Sequence, residues 1–247
     1  ESESRGLGDV YKRQVQDIVV TTPSAGGLNP AVAYTIQKLA IQEVYKIGGA
    51  QAVGLLAYGA GKITGVDKIV GPANVYAALA KKEVFGTVDI DMIAGPSEIL
   101  VMFDETADPD WIAADLLSQA EHGSGYEAAI GITTSLQAAE WVKECVIQQV
   151  EQSPKRKLLE EVLKRFGRIF IVQDWEQGVA LSDAIAPEHL EIIAKDELRI
   201  ADEIQNAGAI FIGAYSSEPV GDYFAGPNHV LPTNGTSRFS SPLGVYD

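Results

Sequence analysis

The chain has three histidines, and the polar residues beside them are where it could do chemistry. His122 closes the run Leu116-Leu117-Ser118-Gln119-Ala120-Glu121-His122, followed by Gly123. Gln119 and His122 are three apart, so on a helix they share a face. An amide oxygen and an imidazole placed together make half of a metal site. The plainer reading is a solvated Gln and His at a helix end. His189 stands in Ala186-Pro187-Glu188-His189-Leu190-Glu191. Pro187 forces Ala186 out of helical geometry. On an extended segment Glu188 and His189 then point to opposite sides and could serve different steps. A histidine near neutral pKa suits proton transfer, and a glutamate beside it can orient or activate a water. The plainer reading here is a surface Glu-His pair opening a strand. His229 lies in a stretch from Gly221 to Thr233 that also holds Asp222, a good zinc ligand on a turn that Gly221 permits. Gln119, His122 and Asp222 would give three oxygen and nitrogen ligands, leaving a position for substrate, water or another residue. All three histidines fall in polar segments punctuated by Gly and Pro, which points to one shared site.

The elements that must position these residues alternate. After position 15, strands are expected at 18–21, 43–46, 68–70 and 88–90, with helices at 30–40, 50–58 and 74–85 between them. That rhythm predicts a parallel sheet covered by helices. A second unit begins near Gly95, with strands at 99–103, 128–133, 169–172, 190–193 and 209–212. Its helices are expected at 108–117, 135–152, 154–167, 175–184 and 197–206, the first capped by Asp108 with Pro109 inside it. Everything after Gly213 reads as irregular, and such long late loops are usually functional or tails. The turns Gly48-Gly49-Ala50-Gln51 and Gly71-Pro72-Ala73-Asn74 lead from strand to helix, so both lie at the carboxyl edge where ligands bind. Gln51 and Asn74 offer amide contacts there, although Asn74 is equally a helix cap. Ser97, in Ala94-Gly95-Pro96-Ser97-Glu98, is a further candidate contact. No G-x-G-x-x-G occurs, which excludes a standard Rossmann fingerprint.

Composition bounds the answer. The 247 residues, 46% of them hydrophobic, make one large or two medium domains. A net charge of −15 repels phosphate backbones, so no nucleic-acid partner is expected. No apolar run spans a bilayer, no secretory signal is seen, and the lone Cys145 reads as a packed helix residue, so a cytoplasmic protein is expected. Residues 1–14 read as a non-native, adaptor-like scar and are set aside.

Taken together the motifs resemble the histidinol dehydrogenase family. The likeness rests on Val44-Tyr45-Lys46-Ile47-Gly48-Gly49-Ala50-Gln51-Ala52, Val66 to Pro72, Ile90 to Glu98, Asp115 to His122, Ala186 to Glu191, and Gly221 to Thr233. It implies two Rossmann-like α/β domains with parallel sheets: an NAD-binding domain at 15–95 and a zinc- and substrate-binding domain at 96–247. The implied activity is the oxidation of L-histidinol through histidinal to L-histidine with two NAD and one zinc, in a homodimer. Residue by residue, Gln119, His122 and Asp222 match zinc ligands. His189 matches the general base and Glu188 the activator of the water that hydrates the aldehyde. Ser97, Gln119, His122, His229 and Asp222 match substrate contacts, and Gln51 and Asn74 match NAD contacts. Three departures stand out. The family has a further N-terminal region with a glycine turn. It also has a C-terminal segment carrying a fourth zinc ligand, a histidine, and a substrate-binding glutamate that reach into the partner. Ala73 stands where the family usually has glycine. The chain is therefore expected to bind zinc weakly and turn over slowly or not at all. The rival readings are a related zinc- and NAD-dependent dehydrogenase of another small amino or sulfonated alcohol, and a non-catalytic fragment.

Overall fold

The computed structural model describes residues 15, 17–23 and 27–244. The expected scar at 1–14 lies outside the described residues. The chain divides into two compact units. One takes in the described residues up to Ala94 with Leu243 and Gly244, and the other is Gly95–Pro242. Among the described residues no helix is long and apolar enough to cross a membrane.

The first unit runs β1 (Val19–Thr21), α1 (Pro30–Lys38), β2 (Glu43–Tyr45), α2 (Gly49–Tyr58), β3 (Lys68–Ile69), α3 (Val75–Val84) and β4 (Asp89–Ile90). β1 pairs with β2 and β3 with β4, each in parallel. The single sheet expected from the βα rhythm is thus two separate two-stranded sheets. The reason is strand length: ladders of two or three residues carry few hydrogen bonds, and the apolar core draws on α2, α3, β3 and β4, through Val53, Leu56, Ile69, Val84 and Ile90. Helix α1 buries no residue. Asn29 caps it, accepting from the Ala31 N–H at 2.8 Å, and Pro30 opens it. Within this unit lies a buried ion pair, Lys81 with Asp91. The Lys81 ammonium also donates to the Gly71 carbonyl at 3.0 Å. Asp91 in turn accepts from the N–H groups of Gly71 at 2.7 Å and Met92 at 2.6 Å. The turn after β3 is therefore held from both its N–H and its carbonyl.

The second unit runs β5 (Glu98–Phe103), α4 (Pro109–Ala120), β6 (Ala128–Thr133), α5 (Leu136–Gln152), α6 (Arg156–Phe166), β7 (Gly167–Ile171), α7 (Trp175–Ile185), β8 (His189–Ile193), α8 (Glu197–Glu203), β9 (Ala209–Ile212) and α9 (Glu218–Tyr223). Its five strands are all parallel, in the order β7-β6-β5-β8-β9. The middle strand explains the order. Leu100, Val101, Met102 and Phe103 are all fully buried, as a continuous apolar run covered on both faces must be. Ile99, Val101 and Phe103 pack on one face with Ile112 and Leu116 of α4, Val142 of α5 and Leu159 of α6. Leu100 and Met102 face the other way, with Leu190 and Ile192 of β8, Val179 of α7 and Ile200 of α8.

Two consequences position the site. Side chains alternate along a strand, so His189, Glu191 and Ile193 share the face covered by α4. Helix α4 runs back from the carboxyl end of β5, so its C-terminus returns Gln119 and His122 to the amino edge of the sheet. There Glu98 opens β5, and His189 opens β8 as the register partner of Ile99. The stretch beyond Gly213, expected to be irregular, instead forms α9 and a 3-10 turn, Thr236–Arg238. Gly221 lies inside α9 rather than on a turn. A Cβ there would stand 2.6 Å from the Phe211 ring, so glycine is needed for space.

Candidate active site

His189 is buried, and its hydrogen bonds fix its tautomer. Nδ1 lies 2.8 Å from the Glu98 carbonyl, which can only accept, so Nδ1 carries the proton. Burial holds His189 in its neutral form, with its pKa lowered to about 4. Nε2 is then a lone pair, and it faces His229 Nε2 at 2.9 Å with the two rings stacked, 5.0 Å between centroids. The proton in that contact belongs to His229. Glu218 lies 3.4 Å from His229 Nε2 and 3.8 Å from His189 Nε2, and Asp222 lies 3.6 Å from His229 Nε2. Burial would raise the Glu218 carboxyl, but the imidazoles of His229, His189 and His122 together lower it. The Glu218 carboxylate in turn raises His229. Ligand atoms of His189, Glu218 and His229 fall within 4.8 Å of one another, close enough to meet one cation.

Glu188 stands on the other side of the strand start. Its Oε2 accepts from the Glu98 N–H at 3.1 Å. Burial drives its pKa up to about 8, and the Glu98, Glu218 and Asp222 charges add to the rise. The edge is closed by the segment after Leu231. The Gly95 N–H donates to Thr233 Oγ1 at 2.6 Å, and the Asn234 N–H donates to Glu98 Oε1 at 3.0 Å. Gly208 passes so near that an added Cβ would sit 2.5 Å from the Glu188 carbonyl oxygen.

Gln119 is buried on the last turn of α4, and His122 lies exposed two residues past the helix. His122 Nδ1 lies 3.2 Å from the Ser118 carbonyl, so it too donates there and leaves Nε2 free as a ligand atom. The turn that follows is anchored by Glu127, which is buried and accepts from the N–H groups of Ser124 at 2.5 Å and Gly125 at 2.9 Å. A parallel α/β sheet gathers helix C-termini at its amino edge, and their partial negative charge favours a cation there.

Of the residues named from the sequence, the structure gathers His189, His229, Asp222 and Glu188 about Glu218. His122 is near enough for its charge to bear on Glu218. Gln119, His122 and Asp222 are not members of the three-residue cluster of crowded ligand atoms. Ser97 sits half-buried one residue before β5, its carbonyl accepting from Ala128 at 3.1 Å. Gln51 and Asn74 belong to the first unit, exposed on the opening turns of α2 and α3. Asn74 Oδ1 is engaged as a cap by the Tyr76 and Ala77 N–H groups, which leaves its Nδ2 to donate outward. Glu218 was not legible as a site residue. The signal was present: Ser217-Glu218-Pro219 reads as a helix start, and Glu218 and Asp222 are then one turn apart.

Comparison with known proteins follows the same line. Residues 13–247 match the sequence profile of the family described as histidinol dehydrogenase. Histidinol dehydrogenases of Halalkalibacterium halodurans and Bacillus subtilis are each 53% identical over 235 residues, covering 94% of this chain and 55% of theirs. A crystal structure of histidinol dehydrogenase from Elizabethkingia anophelis superposes with a TM-score of 0.88 at 40% identity, covering 92% of this chain and 53% of that one. The chain thus spans about half the length of the relatives it matches. On these matches the chain is a member of the histidinol dehydrogenase family.

Proposed function

We propose that this chain carries the reacting end of a zinc- and NAD-dependent oxidation of L-histidinol, through histidinal, to L-histidine. The observation that carries this reading is the lone pair of His189 Nε2, held by the Nδ1 bond to Glu98 and turned toward His229 and Glu218. His189 is neutral at physiological pH and is placed to take the substrate hydroxyl proton. His229, which donates to His189 Nε2 and lies beside Glu218, is placed to meet the substrate. Glu188 is the residue to orient the water that hydrates the aldehyde and to activate it in the carboxylate form, which gains population as pH rises toward about 8, and Ser97 is a substrate contact.

The donor types supplied by Gln119 on α4, His122 just past it and Asp222 on α9 are ones zinc accepts. Gln119 offers an amide oxygen, His122 a lone pair already fixed on Nε2, and Asp222 a carboxylate. When bound there, zinc would hold the substrate amine and imidazole and polarise the reacting oxygen. Gln51 and Asn74 are the residues to hold NAD, with Gly49 at φ 68° opening α2 in a conformation that favours glycine. When bound, NAD supplies the hydride acceptor. A cytoplasmic homodimer belongs to the same reading.

The test is NAD reduction by the zinc-supplied protein across a panel of L-histidinol and other small amino and sulfonated alcohols. The reading expects histidinol to be the preferred substrate, with two NAD reduced per histidinol, and His189→Asn to lower kcat by about 100-fold or more. Preference for another alcohol, or an unchanged rate in His189→Asn, would contradict it.

A further inference from the structure

Glu191 is the least expected residue in the second unit. It is the third residue of β8, two after His189 on the same face, and only 1% exposed. Its register partner on the middle strand is the fully buried Val101. Burying a carboxyl there is unfavourable unless it is fully partnered. A Leu or Met of similar volume in place of a buried charged group is often neutral or stabilising.

The partners show what the carboxyl does. Oε1 accepts from the Glu218 N–H at 2.6 Å. That N–H belongs to the first turn of α9, where helix donors lack intrahelical partners. Ser217, at the usual capping position, makes no side-chain cap bond. Glu191 therefore caps α9 from across the sheet. Its other oxygen, Oε2, is buried and meets no N–H or O–H donor of the ordinary kind. The Asp115 carboxyl of α4 is near enough for its charge to bear on Glu191. Asp115 lies four residues before Gln119 on α4, so the two share a stripe of that helix.

We propose that Glu191 is a positioning residue: by capping α9 through Oε1 from its place on β8, with Asp115 of α4 nearby, it sets where Glu218 and Asp222 stand relative to His189. One carboxyl thereby links β8 to α9. Burial raises both Glu191 and Asp115 above the usual carboxylate range. The functional consequence rests on the reading of the site given above; the positioning itself does not.

The experiment compares this chain with Glu191→Gln, Glu191→Leu and Glu191→Met. Two quantities are read: backbone amide exchange in the presence of chelator, and zinc affinity by competition with a chromogenic chelator. Gln keeps the acceptor for Glu218, so both readouts should stay within about threefold of the parent. Leu and Met leave the Glu218 N–H without its acceptor. Protection at Glu218 and through α9 should then fall about tenfold, as for a lost helix cap, while β5 and α5 keep theirs and zinc affinity falls by a similar factor. Unchanged protection at Glu218 in both apolar variants would overturn the proposal. So would an even loss across the whole unit, failure of both variants to fold, or a Gln variant as impaired as the Leu variant. If the parent chain binds zinc no better than His122→Ala, the zinc reading falls, and the exchange data still judge Glu191.

Discussion

Glu188 and His189 are neighbours in sequence, both buried, and burial pushes them in opposite directions, the acid up to about 8 and the imidazole down to about 4. Each favours its neutral form. The signs give a stability profile. His189, at 6.5 when unfolded, binds fewer protons in the folded state between about pH 4 and 6.5, so stability rises with pH there. Glu188, at 4.5 when unfolded, binds more protons in the folded state between 4.5 and about 8, so stability falls with pH there. The His189 effect ends at pH 6.5, and above it Glu188 and the buried Glu191, raised to about 9, both make stability fall with pH, each at a limiting slope of about 1.4 kcal/mol per pH unit for one proton. Urea unfolding in the presence of chelator at pH 6.5 and 8 should therefore show stability falling with pH, and Glu188→Gln should make that fall smaller, leaving the part due to Glu191. An equal fall in the variant would contradict the assignment. At this scale the sequence was legible where a residue type is rare: of three histidines in turn-like segments, His189 and His229 meet in the structure. Glu218 and Glu191 were hidden because glutamate is common, and only the fold shows that these two are buried.

At the scale of elements, strand and helix identities were legible because central strands are continuous apolar runs and most helices carry their caps in sequence, as Asp108, Ser135 and Asp174 do. The short helix α9 was not, since Gly221 and Asp222 read as turn chemistry and six residues give no periodicity to count. The split of the first unit into two small sheets was equally hidden, because βα alternation does not say which strands meet. The Lys81–Asp91 pair belongs to this scale too. It joins α3 to the segment after β4 and grips both backbone groups of Gly71. Removing one member of a buried pair leaves the other uncompensated, so Lys81→Met should destabilise the first unit by about 3 kcal/mol. Amide exchange in α2 and α3 would show it, with the second unit unaffected. A loss below about 1 kcal/mol would mean that the Gly71 and Met92 N–H groups suffice for Asp91.

At the scale of the molecule, the second unit departs from the usual habit of open α/β sheets. Ligands ordinarily gather beyond the carboxyl ends of the strands. Here His189, Glu188 and Glu98 stand at the amino ends, and α4 delivers Gln119 and His122 to the same edge by its C-terminus. An edge lined by helix C-termini and carboxylates suits a cation, whereas the opening turns of α2 and α3 in the first unit suit an anionic cofactor. The residues at both places stand in motifs visible in the sequence. The strand order that puts β8 beside β5, and so His189 beside Glu98, came only with the structure.

The most direct test of the account is a thermal shift of this chain with zinc, with and without L-histidinol, against His122→Ala. It reads binding rather than turnover, since a ligand that favours the folded state stabilises it by mass action, about 2.7 kcal/mol at a hundredfold excess over Kd. The account predicts a zinc-dependent rise in Tm that histidinol increases and that His122→Ala abolishes. A folded protein whose Tm ignores zinc and histidinol, or responds equally in His122→Ala, would contradict it.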